Sequence, residues 1–147
     1  MGKGQSSKSH SKSAMTAVFF VAIALSLTGC SKDEQATNDL AFLTDTAASV
    51  AEKATSGADR QAALKSALDY LEANYDKLHA SAERLNSLKS YQLSDETLAK
   101  MEESLFTAGE RISRLREDLA DEMVSNAEID QAVELIISRY TTAIIGK

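Results

Sequence analysis

The 147 residues predict an all-α protein, an antiparallel bundle of about four helices built around a long central helical hairpin. Three observations point there. The chain has no proline and six glycines, only three of them after residue 30, so little interrupts a helix. Apolar side chains recur at alternating steps of three and four through most of 39–147, the spacing that gathers them on one helical face. Where that rhythm breaks, the residues at the break are ones that cap helices.

The first helix is expected from about Asp39 to Ser56, with Leu40, Leu43, Ala47, Val50 and Ala54 in phase and Gly57 able to take the left-handed conformation that closes it. Its seam is rich in alanine, so it is expected to be the least stable element. The second, about Asp59 to Ser90, carries Leu64, Leu68, Leu71, Tyr75, Leu78, Ala82, Leu85 and Leu88 and would be roughly 48 Å long. Ser90 to Leu93 fall out of phase. Ser94 then reads as an N-cap, with Leu93 and Leu98 placed for a hydrophobic staple.

The third helix, about Asp95 to Val124, repeats the stripe with Leu98, Met101, Leu105, Ala108, Ile112, Leu115, Leu119 and Met123. Ser125-Asn126-Ala127-Glu128 fits a capping box, and Val124 with Ile129 fits a staple. The fourth helix follows, with Ile129, Val133, Ile136, Tyr140 and Ile144 on one face and Leu135, Ile137 and Ala143 widening it. So wide a face predicts the most enclosed helix of the bundle. Short connections would lay helix one along the first half of helix two, and helix four along the second half of helix three. A two-helix tip from about His79 to Leu105 would remain. Leu85, Leu88, Tyr91, Leu98 and Met101 on that tip are candidate partner contacts.

The N-terminal segment is of a different kind. Lys3, Lys8 and Lys12 precede an apolar run from Ala14 to Leu27 and then small residues, the layout of a secretory signal and too short for a comfortable membrane span. Leu27-Thr28-Gly29-Cys30 resembles the lipobox of bacterial lipoproteins. The resemblance implies cleavage between Gly29 and Cys30 and acyl chains on Cys30. Two or three chains anchor stably where one holds reversibly. Ser31, in place of the aspartate that retains such proteins at the inner membrane of enteric bacteria, favours the outer membrane. The division that follows is a signal peptide over 1–29, a lipidated cysteine and flexible polar tether over 30–38, and the bundle over 39–147.

Removing residues 1–29 takes away three lysines and no acid, leaving 13 basic and 22 acidic side chains in 118 residues, a net charge of −9. That balance excludes the basic footprint of a nucleic-acid binder and broad electrostatic docking on anionic lipid, so membrane contact is expected through the lipid. A single cysteine forms no intramolecular disulfide, and packing must hold the fold in an oxidising compartment.

Catalytic chemistry is thin. Glu72, Asp76, His79 and Glu83 share a helix face, but di-iron bundles draw ligands from several helices and His79 is the only histidine after the leader; no metal is expected. No Ser-His-acid or Cys-His set can be assembled beyond His79, and no glycine-rich phosphate loop is present. Neither an enzymatic activity nor a cofactor other than the covalent lipid on Cys30 is expected. Arg111, Arg114 and Arg116 form the one basic cluster, explained by helix-surface pairing of Arg114 with Glu110 and Asp118, with binding of an anionic partner or lipid phosphate as the sharper reading. The terminal Gly146-Lys147 is similar to the end of the major murein lipoprotein of enteric bacteria, whose last lysine is joined to peptidoglycan; several capped helices set this chain apart from that single rod.

The expected function is a membrane-anchored lipoprotein facing the periplasm that works through protein–protein contact as an accessory, chaperone-like or pilotin-type module. A self-associating structural envelope lipoprotein and an immunity or exclusion lipoprotein are the alternatives. No nucleic acid or small-molecule substrate is implied.

Overall fold

A computed structural model of the chain describes residues 27–146, with side chains from Lys32 onward. The basic and apolar parts of the leader up to Ser26, and Lys147 with the wall attachment it suggested, lie outside the described residues. The helices are α1 (Leu27–Thr55), α2 (Arg60–Ser87), α3 (Asp95–Ser113), α4 (Leu115–Asp118), α5 (Ala120–Ser125) and α6 (Ala127–Ile145), with one turn of 3₁₀ helix at Ser90–Gln92. No strand occurs among the described residues, and none of their helices is long and apolar enough to cross a membrane.

The all-α bundle expected from the periodicity is what the chain forms, and the residues expected in the seams fill its core. Leu40, Leu43, Ala47, Val50 and Ala54 of α1 meet Leu64, Leu71, Leu78 and Leu85 of α2, Ala108, Ile112, Leu115 and Leu119 of α3 and α4, and Val133, Ile136 and Tyr140 of α6 in one buried cluster. Asp59 caps α2 by accepting from the Ala62 amide, and Ser94 caps α3 by accepting from Thr97. Gly57 takes the left-handed conformation that ends α1 (φ +78°).

The order of packing differs from the expected one. α1 lies against both α2 and α3, α2 lies in turn against α6, and α2 and α3 are not packed side by side. The connection between α2 and α3 crosses the end of the bundle beside α1 instead of closing a hairpin. Ala36, Ala47 and Ala54 are fully buried on α1, and Ala63 and Ala67 are buried on α2, interleaved with leucines such as Leu43, Leu64 and Leu71 that are buried as completely. The helix expected to be the most marginal is therefore the one its neighbours share.

Four local expectations are corrected. Residues 31–38, read as a flexible tether because of their polar composition, belong to α1; Ala36 is fully buried, four residues before Leu40 on the same stripe. Helix three is broken at Arg114 and again at Leu119 (φ −115°, ψ 13°), while Leu115 and Leu119 both stay in the core. The cap of α6 is Asn126, not Ser125. Asn126 has extended backbone and its side chain accepts from the Glu128 amide, whereas the Ser125 hydroxyl donates back to the carbonyls of Asp121 and Glu122. Val124 is 92% exposed, so the staple with Ile129 is not made. Of the wide face of α6, Ile129, Val133, Ile136, Ile137, Tyr140 and Ala143 are buried, while Leu135 is exposed.

Candidate functional site

The end of the bundle at which α1 begins holds both the acylation candidate and the expected partner contacts. Gly29 and Cys30 lie in the first turn of α1. One turn further, Asp33 Oδ1 accepts a hydrogen bond from the Ser94 amide at 2.9 Å. That bond, with hydroxyls of Thr97 and Ser94 nearby, holds the Asp33 carboxyl below the usual range against slight desolvation. The N-terminal half of α1 thus runs beside the α2–α3 connection, and the tip is not a two-helix extension. Of the five tip residues, Leu85 is buried in the core, and Leu88 and Met101 are partly buried against it. Leu98 is half-buried, and only Tyr91, 85% exposed on the 3₁₀ turn, is open to solvent.

Further along, α1 and α2 are joined by an ion pair that the sequence reading did not contain. Arg84 donates from Nε to Asp39 Oδ2 at 2.9 Å and from Nη2 to Oδ1, and also reaches Ser81 Oγ at 2.8 Å. Burial pushes the Asp39 carboxyl up, but the bonds from Arg84 and Ser81 outweigh it and hold the group below its ordinary value. Such a pair is set by tertiary packing across 45 positions, which no local pattern announces.

The arginine cluster is divided by the fold. Arg114 pairs with Glu110 at 2.7 Å, as its spacing predicted. Arg116 instead forks onto Glu134 of α6, holding that carboxyl low through two hydrogen bonds. Arg111 and Arg114, with Glu52, Glu110 and Asp118, line an open cleft of about 460 Å³ between α1 and α3. Three carboxylates face the two guanidinium groups there, so the cleft is not a strong anion site.

The polar face of α2 is used for structure. Glu72 accepts both hydrogen bonds of the Arg139 fork at 2.6 and 2.7 Å, which lowers its pKa. His79 Nδ1 lies 3.0 Å from the Ala143 carbonyl near the end of α6, and its Nε2 is 3.5 Å from Glu83. No cluster of three or more histidine, cysteine or acidic side chains able to hold a metal occurs among the described residues.

The feature that the sequence reading missed is the seam between α3 and α6, which is only loosely closed. Tyr140 and Ile144 of α6 and Leu105 and Ala108 of α3 stand apart around an apolar groove of about 190 Å³, with Gly109 in its wall. A Cβ placed on Gly109 would meet nothing within 4 Å. Ile145, 60% exposed, also lines the groove, and Phe106, 70% exposed, follows the lining residue Leu105 in sequence. At the base of the groove the Tyr140 hydroxyl donates to the Leu43 carbonyl at 3.1 Å, tying α6 to α1, and burial pushes its pKa well above the ordinary value. The signal was present: Phe106 and Ile145 are large apolar residues off the core stripe of their helices, the sort of exposed apolar surface that marks contact sites.

Compared with protein-family models, with curated proteins and with solved structures, the chain matches none of them.

Proposed function

We propose that this chain is a bacterial lipoprotein, held in a membrane by acyl chains on Cys30 and facing the periplasm, that acts through protein–protein contact as an accessory or chaperone-like module and not by catalysis. The observation that carries the contact reading is the α3–α6 groove. Unlike the α1–α3 cleft, which is lined by arginines and carboxylates, its wall carries no charged side chain. Leu105, Ala108, Tyr140, Ile144 and the exposed Ile145 line it, and Phe106, exposed beside Leu105 in sequence, adds apolar surface on the same helix, the composition that interface cores favour. The anchor reading is supported by the lipobox residues Leu27-Thr28-Gly29-Cys30. Ser31 supports the outer membrane over the inner.

The anchor is tested by metabolic labelling with palmitate. Label and membrane fractionation are expected in the unaltered chain and expected to vanish in Cys30→Ser. Contact is tested by photo-crosslinking in cells from position 106, with exposed Gln131 as control. A distinct protein captured from 106 and not from 131 is the expected result, and equal capture from both would remove the groove's claim. Self-association is the second reading, favoured by the same apolar groove. It predicts capture of this chain itself from 106 and a defined oligomer of the lipid-free protein in sedimentation.

A further inference from the structure

Lipoproteins with a flexible tether hold their folded domain at an arbitrary angle to the membrane, whereas here α1 is helical through Cys30 and on into the core. From Cys30 to Asp33 is one helical turn, a rise of about 4.5 Å. Asp33 is bonded to the Ser94 amide at 2.9 Å. The α2–α3 connection therefore has no slack with respect to the acylated residue.

We propose that this end of the bundle, the first turns of α1 together with the 88–94 connection, rests on the phospholipid surface with Tyr91 seated at headgroup level. The proposal rests on the reading of Cys30 as the lipidated residue. Tyr91 is the exposed aromatic of that end, at 85%, and an amphipathic ring that is neither buried nor paired is well suited to the boundary between headgroups and acyl chains. Charge is not the attraction. Lys32 and Lys89 are exposed there, but so are Glu34, Asp95 and Glu96, and Lys100 is already paired with Glu96. The acyl chains supply the affinity, and the rigid α1 supplies the orientation.

Two consequences follow from helix geometry. The opposite end, where Arg60 binds both the Ala54 carbonyl and Glu122 and Val124 is 92% exposed, stands away from the membrane; Thr55 is about 37 Å along α1 from Cys30. The groove at the level of Leu43 is carried roughly 20 Å out from the anchor, clear of the headgroups.

Because the chain contains no tryptophan, Tyr91→Trp and Val124→Trp each create a single reporter at a solvent-exposed position. Each full-length acylated variant is reconstituted in phosphatidylethanolamine/phosphatidylglycerol vesicles containing lipids brominated near the carbonyl end of their chains. Quenching severalfold greater at position 91 than at 124, with blue-shifted emission at 91, is expected. Vesicle-bound protein with equal quenching at both positions, or none at 91, would overturn the orientation and leave the anchor standing. Protein that neither floats with vesicles nor carries acyl mass on Cys30 would overturn the anchor, and the orientation with it.

Discussion

The seam between α1 and α2 and the seam between α3 and α6 are made by different choices of side chain. In the first, alanines at 36, 47, 54, 63 and 67 are buried among fully buried leucines at 43, 64, 71 and 78. In the second, Leu105, Tyr140 and Ile144 hold the helices apart, and Gly109 provides nothing to fill the gap. The contrast teaches that alanines set among leucines marked the closed side of this bundle, whereas large residues without small ones to receive them marked the open side, a distinction that apolar area alone does not make. Area buried per residue is lower for alanine, but packing density depends on fit.

The largest effect that would test this contrast is truncation in each seam. Leu43→Ala, at a side chain 1% exposed, is expected to cost about 2–5 kcal/mol in urea unfolding, while Leu105→Ala at the half-buried groove wall should cost clearly less. Equal losses would show the two seams to be packed alike. Ala67→Leu comes next. Its methyl is fully buried, so the larger side chain should force α1 and α2 apart and destabilise by about 1–3 kcal/mol, read from the same unfolding midpoints.

Asp39→Asn addresses the ion pair on the closed side and is expected to cost about 1.5 kcal/mol near neutral pH. The sign of its pH dependence is fixed by the depressed pKa of Asp39. The contribution is fully present above the unfolded carboxylate value of about 4 and is lost as pH falls through the lower folded value. The difference in melting temperature between the two proteins should therefore shrink on acidification below that range; a constant difference from pH 7 to pH 2 would remove the pair as its cause. The smallest effect has the opposite direction. Gly109→Ala, in a helix interior with open space around the new methyl, should stabilise by about 0.5–1 kcal/mol while narrowing the groove, so that crosslinking from position 106 falls although the fold is firmer.

Much of the core was legible because spacing alone decides which face of a helix is apolar. Leu40 through Ala54, the α2 leucines and the α6 isoleucines follow from it. So do Ser94 and Gly57, whose roles depend on a hydroxyl and on a missing Cβ. What spacing cannot say is which neighbour a face meets. The packing of α3 on α1 and of α6 on α2 is one such choice, and the pairings Arg84–Asp39 and Arg116–Glu134 are set at separations of 45 and 18 residues. Ala36 was hidden for a different reason. It is in phase with Leu40, but its neighbours Ser31 to Asn38 are almost all polar, and a single methyl on a solvated helix gives little signal. The candidate groove was hidden because Phe106 and Ile145 read as stray residues until the fold places the C-terminal half of α3 beside the end of α6.

The shared position of α1 also dictates the order in which the protein can be finished. This helix is synthesised before its partner helices, yet the contacts that complete its burial come late: Ser94 meets Asp33 across 61 positions and Tyr140 meets Leu43 across 97. Pairing with α2 is local and fast, but the stripe facing α3 and α6 stays uncovered until nearly the last residue has emerged, and contacts of such separation form slowly. During that interval the nascent chain exposes its own core, so chaperones that shield apolar segments have the most to do at the helix that α2 and α3 both cover once folding is complete.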